Sequence, residues 1–440
     1  MRESQRRRFK PVEWVDDVIE KDTAWRVLRG QIDDKKKEAN VIQKAIASKK
    51  KAKEDADEEI MARKVIMSEV GVMEEELATL ALARDSILNR IGNLVHESVP
   101  VAEDEDHNAV VGEWGELAVP EVTVIKHHHE LLRMIGGYDP ERGVKVANHR
   151  GYFLTGPGVL LNQALINYSL AFLGARGYMP MQTPYFMLKN QMSRTAQLED
   201  FDEALYKVVG EEGEGEANAS YLIATSEQPI SAFHADEWIQ EGDLPIKYAG
   251  YSTNFRKEAG SHGKDAWGIF RVHQFEKIEQ FVLCKPEDSW DLMESMKDIA
   301  CEFYQSLGLP YRVVAIVSAE LNNAAAKKYD IEGWYPTLGT FRELVSCSNC
   351  TDYQARSLEV RCGAKKKGDK TKKYVHMLNS TLCATTRVIC AILENYQTND
   401  GIRIPEALQP FLGGMDFIPF IMDMPKRPKQ KGKKKKKGGN

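Results

Sequence analysis

The chain has 440 residues, 28% of them charged, and a formal net charge of −5. That length supports two or three domains and a sizeable core, and no apolar run approaches the roughly 20 residues of a membrane span. The start, MRESQRRRF, lacks the apolar stretch of a secretory signal. Acidic Glu3, Glu13, Asp16 and Asp17 argue against an organellar presequence. Seven cysteines without framework spacing suit a reducing compartment. The modest net charge hides an asymmetry: nine basic residues and no acid lie between Lys426 and Lys437.

No proline occurs between Pro11 and Pro100. Trp25, Leu28, Ile32, Ala39, Ile42 and Ile46 follow 3–4 spacing, with Lys35 at the missing seam position. Ile66, Val70, Met73, Leu77, Leu80, Ile87, Ile91 and Leu94 repeat it, with Arg84 as the exception. A charged stretch around Lys49 to Glu59 separates them, so the pattern predicts an antiparallel coiled-coil hairpin. Arms of about 30 residues would extend roughly 45 Å. On pattern alone this is either a dimerisation or spacer element or a nucleic-acid-binding arm. Lys44, Lys49, Lys50, Lys51 and Lys53 are candidates for phosphate contacts.

A linker with Pro100 and the acidic run Glu103 to Asp106 follows. Residues 162–173 read as an amphipathic helix, and Gly177 to Pro184 as a helix stop and a strand ending in proline. Residues 211–219 and 365–373 read as surface insertions, one acidic and one basic. Cys347 and Cys350 form a lone CxxC without a regular second ligand pair, which predicts reduced structural thiols rather than zinc. Residues 426–440 are Lys/Gly-rich and read as a disordered tail. Such a tail serves as a solubiliser, a non-specific RNA binder or a nuclear import signal.

The densest signal is Asn254-Phe255-Arg256-Lys257-Glu258, then a polar loop with Gly260, Gly263 and Gly268, then Arg271 to Glu279. It reads as strand, loop and strand. Alternation puts Arg256 and Glu258 on one face and Arg271, His273, Phe275, Lys277 and Glu279 on one face of the return strand. That surface is too polar for a core. FRKE, AGSHGKD and RVHQFEK in this order resemble motif 2 of class II aminoacyl-tRNA synthetases, in the wording of the seryl-tRNA synthetase family. Residues 177–184 resemble motif 1, whose proline lies at a dimer interface. His376 to Thr381, leading into a helix with Arg387, resembles motif 3.

The resemblance implies an α+β fold: a class II antiparallel sheet with flanking helices, preceded by the coiled-coil arm. It places a tRNA-binding hairpin at 1–105, a catalytic domain at 106–425 and the tail at 426–440. It implies a cytosolic, homodimeric enzyme that uses ATP and Mg²⁺ to activate L-serine and charges serine tRNA, with selenocysteine tRNA left open. Arg256 would bridge the serine carboxylate and the α-phosphate, because a planar guanidinium can hold two oxyanions. Glu258 would accept from the adenine amino group, Arg271 and Arg387 would reach the distal phosphates, and Phe275 would stack on adenine. Lys257, Val272, His273 and Gln274 would line the nucleotide. Phe341 to Ser346 resembles a further ATP segment ending a strand, with Leu344 and Val345 beside the nucleotide and Glu343 and Ser346 on Mg²⁺. Thr225 and Glu227 would meet the serine amino group; Glu279 and Thr381 would meet its hydroxyl, with Asn379 close by. The family usually begins with a short segment before RESQRRR, so the packing of this chain's first residues is in question. A non-catalytic paralogue that binds RNA or protein, and an amino acid:carrier-protein ligase, are the alternatives.

Overall fold

The computed structural model describes residues 1–117, 119–195, 204–209, 219–258, 267–363 and 372–424. Gly260, Gly263, most of the two predicted insertions and the lysine tail lie outside them. The chain forms two compact units: Met1–His107 with Val317–Ala326, and Asn108–Ile316 with Lys327–Asn440.

In the first unit a short α1 (Arg2–Arg7) precedes the long α2 (Glu13–Ala52) and α3 (Asp57–Leu88). At 40 and 32 residues, these helices run about 60 and 48 Å; α3 matches the expected arm and α2 exceeds it. Lys53 adopts a left-handed φ of 61° and caps α2, turning the chain. Leu28, Ile32 and Val70 bury the seam, flanked by Ile66, Met73, Leu77 and Leu80. Both polar interruptions of the apolar repeat have a partner on the opposite helix. Lys35 pairs with Glu69, and Arg84 pairs with Asp22 at 3.0 Å while its guanidinium lies over Trp25.

The opening segment is packed, which answers the question raised by its sequence. Ser4 and Gln5 are buried, and Arg8 is only 2% exposed. Arg8 donates to the carbonyls of Asn93 (3.2 Å), Leu321 (3.1 Å), Asn322 (3.1 Å) and Ala325 (2.5 Å). Arg7 donates to those of Val95, His96 and Val99. These arginines therefore crosslink main chain within the unit through charge-assisted bonds.

The second unit is built on an eight-stranded sheet. Its strands are β1 (Ala109–Trp114), β2 (Met179–Gln182), β3 (Ile246–Phe255), β4 (Gln274–Cys284), β5 (Tyr311–Ala315), β6 (Lys327–Tyr335), β7 (Thr340–Asn349) and β8 (His376–Ala384). Their order is β1-β5-β6-β7-β8-β4-β3-β2. Neighbours are antiparallel except β2, which runs parallel to β3 at the edge. The helices used below are α4 (His128–Met134), α5 (Gly156–Gly174), α6 (Glu227–Phe233), α7 (Ser289–Ser306) and α8 (Thr385–Asn395). Leu161 and Leu165 of α5, Met293 and Met296 of α7, and Val388 and Ile392 of α8 join Ile278, Val282 and Val345 of the sheet in the main core. A smaller cluster joins Ile230 of α6 to Tyr248, Phe281, Leu283 and Met377. Because side chains alternate along a strand, the face of β4 opposite Ile278 and Val282 carries Phe275, Lys277 and Glu279, with Phe281 and Leu283 of the smaller cluster farther along. Among the described residues, no helix is long and apolar enough to cross a membrane.

Candidate active site

Cross-strand register gathers most of the expected residues on one face. Thr381 of β8 lies directly opposite Glu279 of β4, and Asn379 lies opposite Phe281, two residues along. On β3, Asn254 lies opposite Phe275 and Ser252 opposite Lys277. On β7, Ser348 lies opposite Asn379, which puts Ser346 on the same face. Glu343 is three residues from Ser346, a spacing that would turn it away in a regular strand. The register slips between Ile331 and Glu332, which face Val345 and Glu343 respectively. This bulge at Leu344 brings Glu343 back to the side of Ser346.

Glu279 is buried, and its carboxylate is held by polar partners. Its Oε2 accepts from Thr225 Oγ1 (2.7 Å), Ser226 Oγ and the Glu227 amide (3.2 Å). Its Oε1 faces Lys277 Nζ at 2.5 Å, and Lys277 also donates to Thr225 Oγ1 at 2.8 Å. Burial opposes ionisation of Glu279, but Lys277 and the two hydroxyls hold its carboxyl below the ordinary range. Burial, reinforced by the charge on Glu279, pushes the nearby Glu227 carboxyl up to about 7, against a hydrogen bond from Gln354. The loop before α6 approaches the sheet this closely because residue 250 is glycine. A Cβ there would lie 2.4 Å from Ile230 Cδ1 and 2.9 Å from Ser226 Oγ.

Arg256 donates through Nε to the Ala224 carbonyl at 3.3 Å, and its guanidinium lies 5.3 Å from the centre of the Phe275 ring. Burial, then the charge on Arg387, lowers its pKa. Arg387, at the start of α8, donates to the Glu343 carbonyl at 2.8 Å and meets its carboxylate at 3.2 Å. Against the effect of burial, Arg387 brings the Glu343 carboxyl down to about 2. Asp330 lies across from Ser346. Burial pushes its carboxyl up to about 7, opposed by Lys328 and aided by Glu343. Its Oδ2 pairs with Lys328 at 3.2 Å, while its buried Oδ1 has no hydrogen-bond partner. The Glu343 and Asp330 carboxylates, the latter with its unpartnered Oδ1, and the Ser346 hydroxyl offer hard oxygen donors of the kind a divalent cation takes, though among the described residues no three His, Cys, Asp or Glu side chains gather as a metal site.

Several sequence expectations need correction. β3 ends at Phe255 and β4 begins at Gln274, so Arg256–Glu258 and Arg271–His273 are not strand residues. The ladder continues only through the exchange between Arg256 and His273. Glu258 then turns to a φ of 48°, which breaks strict alternation. It faces Arg271 Nε at 3.4 Å. The Lys257 amide donates to Ala204. Gln274 and His273 line one cavity with Glu276, Arg150 and Tyr152. Val272, Leu344 and Val345 bury their side chains in the main core, leaving their main chain to contact a ligand. Glu343 and Ser346 lie within β7, which continues to Asn349. Cys347 Sγ is turned to the Met293 carbonyl at 3.8 Å, and Cys350 Sγ accepts from Asn379 at 3.5 Å. Sequence reading assigned no role to Lys277, Ser226, Gly250 or Asp330. Lys277 was legible by alternation with Glu279; the others depend on which segments meet.

Known proteins match this geometry. Residues 206–396 match the family model "tRNA synthetase class II core domain (G, H, P, S and T)", and residues 1–95 match "Seryl-tRNA synthetase N-terminal domain". The cytoplasmic serine–tRNA ligase of Dictyostelium discoideum is 57% identical over 98% of this chain and 94% of its own length. The human cytoplasmic serine–tRNA ligase is 48% identical over 100% and 92%. The cytoplasmic enzyme of Naegleria fowleri, solved in complex with AMP, superposes with a TM-score of 0.82 at 48% identity, covering 96% of this chain and 95% of that one. Seryl-tRNA synthetase of Pyrococcus horikoshii, complexed with ATP, gives 0.84 at 39% identity, covering 96% and 97%. With both of its units matched and its length covered, the chain belongs to the seryl-tRNA synthetase family of class II aminoacyl-tRNA synthetases.

Proposed function

We propose that this chain joins L-serine to the 3′ end of serine tRNA in two steps, and that the buried Glu279 chooses the amino acid. The single observation that carries this reading is Glu279 itself: a sequestered carboxylate opposite Thr381, held by Lys277, Thr225 and Ser226. A small hydroxylated substrate has partners there. Alanine brings no hydroxyl to pair with Thr381 and the remaining lone pairs of Glu279, and the loss of that pairing in a buried site supports rejection by about 10⁴ or more. Glu227 takes the substrate ammonium. Thr225 already donates to Glu279 and accepts from Lys277, so its part in holding the amine is mainly indirect.

In the first step a serine carboxylate oxygen attacks the α-phosphorus of ATP. A P–O bond forms, the bond to the β-phosphate breaks and pyrophosphate leaves. Arg256 holds the two anions together and stabilises the charge growing at phosphorus. Arg387 and Arg271 receive the distal phosphates, Phe275 stacks on adenine and Glu258 accepts from its amino group. Glu343 and Ser346, with Asp330 behind Ser346, would hold Mg²⁺, which neutralises phosphate charge when bound. In the second step the terminal ribose hydroxyl of tRNA attacks the activated carbonyl: an ester C–O bond forms, the acyl–phosphate bond breaks, and AMP leaves with a phosphate oxygen taking the hydroxyl proton. Positioning suffices for this step, and no side chain is assigned as general base.

The helical hairpin is proposed to hold serine tRNA. Lys35, Lys36, Lys37 and Lys49 are engaged in ion pairs. Lys44, Lys50, Lys51 and Lys53 are exposed and remain the better candidates for phosphates. We also propose a cytoplasmic homodimer. Edge strand β2 exposes Met179, and Val159, Leu160 and Phe186 are exposed as well, apolar surface that a second copy would cover. Serine-dependent ATP–pyrophosphate exchange tests the enzymatic reading, and its absence in folded protein refutes it.

A further inference from the structure

We propose that His128 is a positioning residue for the ATP site. It ties the main chain at Trp267, where the loop after β3 returns toward β4, to Glu394 on α8, the helix that carries Arg387. The inference rests on the nucleotide-site reading above and assigns that site a support outside its recognised motifs.

His128 is almost fully buried and Glu394 completely so. His128 Nδ1 lies 2.8 Å from Glu394 Oε1, and Nε2 lies 3.2 Å from the Trp267 carbonyl oxygen. Both nitrogens face oxygens, and a carbonyl can only accept, so satisfying both contacts calls for donation from both sides of the ring beside an ionised carboxylate. A histidine that only filled the core would need one partner; this ring directs its second nitrogen at loop main chain. Gly268 supplies an independent observation. Its φ is +68°, and a Cβ there would lie 2.9 Å from both His128 Cδ2 and His129 Cβ. The loop backbone rests directly on the histidines, and only glycine allows that approach.

The segment held this way leads into the nucleotide residues. The Phe270 ring lies 5.0 Å from the Arg387 guanidinium and 5.3 Å from that of Arg342, and it meets Tyr335 edge-on at 5.5 Å. Tyr335 donates to the Arg387 carbonyl at 2.9 Å. Arg271 follows, paired with Glu258. Glu394 Oε2 also accepts from the amide and hydroxyl of Thr337, in the turn between β6 and β7. One buried pair therefore joins three segments around the phosphate-binding arginines.

The test measures KM for ATP and for serine separately in pyrophosphate exchange, alongside thermal unfolding and active-site titration. H128L should raise the ATP KM about tenfold, the scale of one lost charge-assisted bond, and leave the serine KM within about twofold. H128Q, which keeps a donor for the Trp267 carbonyl, should recover most of the loss. G268A, which breaks the same contact from the loop side, should reproduce the split. An unchanged ATP KM in both H128L and G268A, with activity falling only in step with the titrated active fraction, overturns the inference; so does an equal rise in both constants. If H128L does not fold, G268A decides alone: an unchanged ATP KM there overturns the inference. Failure of the underlying reading is distinct, because the unsubstituted chain would then show no serine-dependent exchange.

Discussion

Glu227 makes a quantitative prediction about pH. Its carboxyl sits at about 7 against an ordinary value of 4.5, because burial and the charge on Glu279 disfavour its ionisation. A rise from 4.5 to about 7 corresponds to at most about 3 kcal/mol, less where solvent reaches the cleft. The sign is set by the raised folded pKa. Stability from this group is greatest below about pH 4.5 and is lost as pH rises towards 7. Serine binding has the opposite sense, since an ammonium needs the ionised carboxylate. With a pKa of about 7, the ionised fraction falls about tenfold from pH 8 to pH 6, and the serine KM should rise by the same factor. ATP–pyrophosphate exchange at saturating ATP measures this, with the ATP KM followed in parallel. E227Q keeps an oxygen for Gln354 but cannot ionise. It should raise the serine KM at every pH, flatten its pH dependence and unfold at a higher temperature than the parent at pH 8. A serine KM that is flat over this range in the parent, or equally steep in E227Q, would refute the reasoning.

Arg256→Ala should abolish serine-dependent exchange, because it removes the guanidinium proposed to bridge the two anions; near-normal exchange would remove Arg256 from the reaction. Excising residues 36–68 and closing the helices with a short turn should leave exchange nearly intact while charging of serine tRNA collapses. Those limits follow the observed pairing of Lys35 with Glu69, and equal loss of both activities would refute the arm's role. Arg8→Met leaves four carbonyls without their donor and should cost about 3–5 kcal/mol in denaturant unfolding; a loss below about 1 kcal/mol would show that those carbonyls find other partners. Leu160→Asp should weaken self-association in sedimentation experiments, and an unchanged mass would move the proposed interface elsewhere.

The features legible in the sequence are those written in local periodicity. The 3–4 repeats gave the hairpin, and even its two polar exceptions proved to be paired positions. Alternation on β4 put Phe275, Lys277 and Glu279 together. What the sequence concealed depends on contacts between distant segments. Nothing local marks Leu344 as the bulge that returns Glu343 to the side of Ser346. Gly250 is meaningful only because Ser226 and Ile230 press on it. His128 reads as one of three histidines in a row until Glu394, 266 residues away, meets its ring. Nothing local marks Arg8 among the arginines of the start as buried under four carbonyls, three of them on residues more than 300 positions later.

The central claim is that a buried carboxylate at position 279 makes this chain an enzyme for serine. Its most direct test is amino-acid-dependent exchange by the full chain with serine and with alanine, followed by transfer to serine tRNA. The account predicts exchange and charging with serine and a discrimination against alanine of about 10⁴ or more, collapsing in E279A. Comparable exchange with alanine, or undiminished selectivity in E279A, would contradict it.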